Sequence, residues 1–172
     1  VEGRDAPDVA RVKGDARMGT VLSRAIDDRE RPLRRDLVVP YGRSRLRMTR
    51  EQSRGIVRSA RRRFRGHNAG RRYVEQQVFA ALAESTSREL EPGEVRAALR
   101  RAPEVREALE WMWPRLTPEH LLHDLFGSRA LLRHAARDTF GDAAAASLHR
   151  PRSSHASEVS WTVDDVPLLD EA

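Results

Sequence analysis

Apolar residues recur along this chain at helical spacing, in short blocks set apart by prolines, glycines and polar runs. Met18, Val21, Leu22, Ala25 and Ile26 fall at i, i+3, i+4, i+7 and i+8. That spacing predicts an amphipathic helix from Ala16 to about Arg29, capped by Asp15 and stopped by Pro32. The polar stretch Val1 to Lys13 shows no such pattern and is expected to be extended or ill-ordered. Leu37 to Met48, LVVPYGRSRLRM, changes period: a β-branched run, a Tyr41-Gly42-Arg43-Ser44 turn signal, then alternation through Arg45, Leu46, Arg47 and Met48. It predicts a small β-hairpin, the only sheet, with Pro40 at its edge or in the turn. Thr49 and Gln52 are spaced as a capping box for a helix to about Arg65, with Ile56, Val57, Ala60 and Phe64 on its apolar face. Gly66 to Gly70 reads as a flexible break. A helix from Arg71 to about Glu84 then buries Val74, Val78, Ala81 and Leu82.

The second half continues in helices. Ser85 to Glu91 is a polar connector. Pro92 to Arg101 and Pro103 to Trp113 each open on proline, which suits a first helical position, and would turn Val95, Leu99, Val105, Leu109 and Met112 inward. Thr117 and Pro118 start a helix whose stripe is Leu121, Leu122, Leu125 and Phe126, ended by a left-handed Gly127. Ser128 caps the next, in which Ala130, Leu131, Ala135 and Phe140 continue the pattern to Gly141. The remaining helices are expected to pack on this hairpin. Asp142 to His149 is a weak alanine-rich helix, and Arg150 to Ser157 a hydrophilic linker. Glu158 to Ala172 enters extended and ends in a helix capped near Asp164 or Asp165, with Val166, Leu168 and Leu169 buried. The fold class is therefore mainly α, a bundle-like set of helices with one small β-hairpin.

Composition narrows what such a chain can do. Aromatic residues are 5% and charged residues 34% of the 172, so a thin core and a broad solvated surface are expected. There is no cysteine, which excludes disulfides and thiolate metal sites. No apolar run approaches the roughly 20 residues of a membrane helix, and no signal peptide is visible. A cytoplasmic setting is expected. The charged start without Met and the ending VPLLDEA are expected to be boundaries within a longer chain.

The net charge of +6 is unevenly placed: residues 1–90 hold 22 Lys+Arg and 12 Asp+Glu, a net of +10, and residues 91–172 hold 10 and 14, a net of −4. Lys13 is the only lysine. Between Arg43 and Arg72 there are 12 arginines and the single acid Glu51. Arg54, Arg58, Arg61, Arg62, Arg65, Arg71 and Arg72 are the candidate contacts to a polyanion or an acidic partner, since guanidinium forks onto phosphate and carboxylate. The competing account is a solvated helix face neutralised by acidic neighbours. Only Phe64 and Tyr73 lie near, so base stacking is weakly supported.

Catalytic chemistry finds no complete motif. His120 and His123 are three apart, yet no third ligand completes a metal site. No nucleophile sits in a glycine-elbow context. In VPLLDEA the apolar run and Asp170-Glu171 are spaced like the magnesium-binding acidic motif of helicase-type ATPases, but Pro167, Asp164 and Asp165 favour a helix over the strand that motif needs. No phosphate-binding loop accompanies it.

Five stretches taken in order, VARVKGDARMGTVLSRAI, LVVPYGRSRLRM, RSARRRFRGHNAGRRYVEQQVFAAL, WMWPRLTPEHLLHDLFGS and SWTVDDVPLLDEA, resemble the actinobacterial HelD family. These are UvrD/Rep-like, helicase-related ATPases acting on RNA polymerase. The resemblance implies an internal segment lying after the phosphate loop and before the true acidic ATPase motif. Residues 1–36 and 150–172 would be parts of the first motor domain. Residues 37–149 would be the helical insertion that enters the polymerase's primary channel, props the clamp open and helps recycle the enzyme. Some family members also displace rifamycins. The implied partner is RNA polymerase, with DNA or RNA as the alternative, and ATP with Mg would serve the parent protein. The segment itself would carry no catalytic residue, metal or cofactor, and no family contact residue transfers onto it.

Overall fold

The computed structural model describes residues 3–86 and 91–172. Among these residues there are ten α-helices and one two-stranded antiparallel hairpin, a mainly α fold. The chain forms two compact units. Arg29–Arg115 is one; the segments up to Asp28 and from Leu116 onward make the other. The first therefore interrupts the second in sequence. The breaks fall at 28/29 and 115/116, not at the expected 36/37 and 149/150, because the hairpin of helices after Leu116 shares a core with the N-terminal helices.

In the Arg29–Arg115 unit, β1 (Leu37–Tyr41) pairs with β2 (Ser44–Met48), Leu37 opposite Met48 and Val39 opposite Leu46. These four side chains are buried on one face of the ribbon. Gly42 takes the positive φ of +57° that a two-residue hairpin turn requires. Pro40 sits in β1 itself, where a missing N–H costs nothing because its partner Arg45 lies outside the hydrogen-bonded pairs. Helix α3 (Arg50–Arg63) opens on the expected box: Thr49 accepts from the Gln52 N–H, and the Thr49 N–H donates back to Gln52 at 2.7 Å. Asp36 accepts from the Arg50 N–H and the Arg47 guanidinium, which hold its carboxyl below the usual range.

Helix α4 (His67–Glu84) begins four residues earlier than expected. The break is Phe64 to Gly66, and His67 to Gly70 are helical, because Trp113 packs against Gly70 and its Nε1 donates to the His67 carbonyl at 2.6 Å. Of the connector Ser85 to Glu91, residues 87–90 lie outside the described residues; Ser85 satisfies the outward N–H of Arg47 at 2.8 Å. Helices α5 (Pro92–Arg101) and α6 (Pro103–Met112) follow, and their five predicted inward residues are all buried.

The other unit starts with a helix the hydrophobic pattern did not show, α1 (Pro7–Lys13), so the expectation of an extended segment is corrected. Pro7 at the helix start and Asp8 in the first turn favour it locally, and the buried Lys13 anchors it. Helix α2 is Met18–Asp27, shorter than expected. Asp15 does not cap its first residue; it accepts from the N–H and guanidinium of Arg17, whose side-chain and backbone hydrogen bonds lower its pKa to about 2.

Helix α7 (Pro118–Phe126) is capped by Thr117 and buries Leu121, Leu122, Leu125 and Phe126 as expected. Gly127 stays in the right-handed region, at φ −77°, which corrects the left-handed assignment. Its size still matters, since a Cβ there would lie 2.7 Å from the His123 carbonyl oxygen.

Helix α8 (Arg129–Ala136) stops well short of Gly141. Arg137 is extended and Asp138 takes φ +60°, a conformation aspartate tolerates better than most residues. Arg24 of α2 donates to the carbonyls of Ala135 and Arg137, and Arg17 to that of Thr139, so two arginines close the helix end. Leu132, Ala135 and Ala136 face inward while Leu131 is exposed, contrary to the expected stripe.

Helix α9 (Asp142–Ser147) is short. The segment from Arg150 is tethered: its N–H donates to the Phe126 carbonyl, and Ala156–Glu158 forms a 3-10 turn. A second 3-10 turn, Val163–Asp165, leads into α10 (Val166–Glu171). Leu168 is buried, Leu169 half-buried and Val166 exposed, the last a correction.

Candidate partner interface

The seven candidate arginines separate into two kinds once their neighbours are known. Arg54 pairs with Glu51 at 3.0 Å along α3. Arg61, itself exposed, reaches the buried Glu30, its Nε 3.1 Å from Oε2 and its terminal nitrogen donating to the Glu30 carbonyl at 2.6 Å. Arg71 lies largely under the surface and pairs with Glu110 at 3.0 Å. Burial pushes its pKa down, against the pull of Glu110 and Glu75, and its Nε and one terminal nitrogen have no hydrogen-bond partner. Arg61 and Arg71 thus link their helices to other segments of the unit, while the Arg54 pair is a surface contact within α3.

Arg58, Arg62, Arg65 and Arg72 are exposed, and no carboxylate lies within ion-pair distance of them among the described residues. Arg58 and Arg62 are one helical turn apart, opposite the buried Ile56, Val57 and Ala60. Arg65 is in the turn after α3, not on the helix, and Arg72 is on the solvent side of α4. Arg63 does not join them: its guanidinium lies 5.3 Å from the Tyr73 ring, which is tilted against Phe64.

The charge imbalance is sharper by unit than by halves of the chain. Arg29–Arg115 contains 22 arginines and 11 acids, a net of +11; the rest contains 10 cations and 15 acids, a net of −5, and the two make up the chain's +6. Two features of the basic unit were not visible in the spacing. One is a cation–π cluster, in which the guanidinium carbons of Arg31 and Arg34 lie 3.6 and 4.2 Å from the centre of the Trp111 ring, beside a groove of about 790 Å³ floored by Leu33, Leu37 and Ala108. Burial, then repulsion from Arg34 and Arg29, lowers the Arg31 pKa. The proximity of Pro32 to the aromatic cluster in space, not in sequence, creates it: the Trp111 Nε1 donates to the Pro32 carbonyl at 3.0 Å.

The other is a buried histidine–carboxylate contact. His67 Nδ1 is 2.9 Å from Glu30 Oε1, its Nε2 is 2.6 Å from the Pro114 carbonyl, and its ring stacks on Trp113 at 5.1 Å. Both ring nitrogens thus face oxygen acceptors in a site closed to water.

The residues considered for catalysis sit apart. His123 is buried with Nε2 3.0 Å from the Ser153 carbonyl, while His120 is exposed, so the two do not share a face. No group of three or more metal-ligating side chains occurs among the described residues. Asp170 and Glu171 are exposed at the end of a helix and follow no strand. Lys13 lies 2.5 Å from Asp5 and 2.7 Å from Asp165, enclosed by carboxylates rather than by a glycine loop. These residues do not fit the triphosphate and magnesium that the HelD resemblance implies for a parent ATPase. Among the described residues no helix is long and apolar enough to cross a membrane.

No protein-family model matches the chain, and no curated protein matches it in sequence.

Proposed function

We propose that this chain is a non-catalytic internal segment of a HelD-like, UvrD/Rep-type helicase-related ATPase, and that its basic helical unit is a docking module for RNA polymerase in the cytoplasm. The observation that carries the proposal is the five ordered stretches resembling that family. The net charge of +11 confined to Arg29–Arg115, which interrupts an acidic unit in sequence, supports a dedicated contact region. Long-range attraction of this kind speeds docking onto an acidic surface or along the path of nucleic acid. ATP and Mg belong to the parent protein in this reading, and the segment contributes binding alone.

The test is capture of purified core RNA polymerase by the immobilised 172-residue chain, before and after nuclease treatment. Retention that survives nuclease is the expected result. Capture lost with nuclease, or no capture at all, overturns docking by this segment.

A further inference from the structure

The exposed arginines of α3, the turn after it and α4 have a chemistry more specific than positive charge. We infer that Arg58, Arg62, Arg65 and Arg72 form a contact face for the phosphate backbone of a nucleic-acid duplex. Arg54, Arg61 and Arg71 stand outside that face because their charges are engaged by Glu51, Glu30 and Glu110. This rests on the reading of Arg29–Arg115 as a binding unit and names what one of its faces contacts.

One observation chooses phosphate over the carboxylates of a protein partner. Specific protein interfaces are organised around apolar and aromatic anchors, with charge at the rim. The large apolar side chains exposed among the described residues are Val38, Leu131, Val163 and Val166, and none of them is on α3, the following turn or α4. The face offers charge with no anchor, which suits phosphates, whose binding is driven by counterion release and needs no apolar patch. All four side chains are guanidinium, whose planar fork engages two phosphate oxygens at once, as it would a carboxylate, so the choice rests on the missing apolar anchor.

The aromatic neighbours choose duplex backbone over single-stranded bases. Phe64 and Tyr73 are half-buried and tilted against each other at 5.5 Å, and the Arg63 guanidinium lies 5.3 Å from the Tyr73 ring. Neither presents a free ring for a base to stack on, and stacking is what single-strand binders rely on. The helix α4 start adds no acid to oppose phosphate: its first turn contains none. Contact of this kind is independent of base sequence.

The test is fluorescence anisotropy of a labelled duplex of arbitrary sequence with the full chain, titrated from about 50 to about 200 mM salt. Four phosphate contacts give a log–log slope of about −3.6. The double variant Arg58→Glu/Arg62→Glu is expected to reduce that slope by about 2 and to weaken binding at least tenfold, with an unchanged melting temperature. Arg129→Glu/Arg133→Glu makes the same charge change on exposed arginines of the other unit and is expected to leave the slope in place. No duplex binding at the lowest salt, a flat salt dependence, or equal losses in the two double variants overturns the proposal. So does a loss of nuclease-resistant polymerase capture in Arg58→Glu/Arg62→Glu, which makes the face a protein contact while leaving the docking module intact. If the wild-type chain binds duplex but captures no polymerase, the docking reading fails and the phosphate face stands.

Discussion

The two units use charge differently. In the acidic unit most arginines are exposed, but Lys13 and Arg150 are drawn into a carboxylate cluster. Lys13 is almost fully buried between Asp5 and Asp165, and Arg150 reaches Asp165 at 3.1 Å while lying over Phe126 and Trp161. Thr162 donates to both carboxylates, so the cluster ties α1 to the 3-10 turn before α10. In the basic unit the inward cations are few, and Arg58, Arg62 and Arg72 on α3 and α4 are exposed with no carboxylate within ion-pair distance among the described residues. A buried, matched charge is structural: removing one member strands the others in low dielectric. An exposed, unmatched charge does nothing for the fold and is free to meet a partner. The same residue type thus carries different work according to depth and neighbours, which an arginine count conceals.

The largest test of that contrast is Asp165→Asn. It removes the anion between Lys13 and Arg150, and should cost the acidic unit about 3–5 kcal/mol, read as lost hydrogen-exchange protection in α1 and α10 with the basic unit unaffected. Burial pushes the Asp165 carboxyl up, but the Lys13 hydrogen bond, the Thr162 N–H and the Arg150 charge outweigh it and leave its pKa lowered. A carboxylate lowered in the folded state contributes stability above its unfolded value of about 4, lost as pH falls through the folded one. Wild-type protection in α1 should therefore fall at acid pH, and the Asn variant should lack that step. A pH-independent wild type would remove the cluster from the acidic unit's stability.

Next in size is a pair of glycine substitutions, one in each unit. In Gly70→Ala the new Cβ would lie 2.7 Å from the buried Trp113 ring, so about 1–3 kcal/mol of overpacking is expected in the basic unit. In Gly19→Ala the Cβ meets only the tip of the Glu171 side chain, which can swing aside, and the gain of a better helix former should make it neutral or stabilising by up to about 1 kcal/mol. Equal melting-temperature losses in the two would show that Trp113 yields as easily as Glu171. Thr49→Ala removes the capping box of α3 and should cost about 1 kcal/mol by denaturant unfolding. Smallest is Arg58→Ala with Arg62→Ala, expected within about 0.5 kcal/mol of wild type because neither side chain supports the fold. A larger loss would place those arginines with Arg61 and Arg71.

Much of the helical architecture was legible because a thin core leaves a clean apolar stripe. Ile56, Val57 and Ala60 on α3, Val95 and Leu99 on α5, and Leu121, Leu122, Leu125 and Phe126 on α7 are all buried where the spacing puts them. The Thr49 and Ser128 caps and the hairpin with Gly42 in its turn were equally local, each needing only residues a few positions apart. The failures were where a distant residue decided. Helix α1 has little stripe of its own and is anchored by Lys13 to Asp165, more than 150 residues on. Helix α4 gains its first turn from Trp113, and α8 loses its last from the turn at Asp138 closed by Arg17 and Arg24. The basic run was plain in the sequence; the commitment of Arg61 to Glu30 and of Arg71 to Glu110 was not.

By itself, then, the sequence determined the element types, most of their caps and inward faces, and an excess of arginine in one region, because all of these follow from near neighbours and periodicity. Only the tertiary structure decided where the chain divides into units, which terminal segments become helices, and which arginines are left unpaired. Those outcomes depend on carboxylates, aromatic rings and carbonyls that meet across long stretches of chain, where spacing has no information to give.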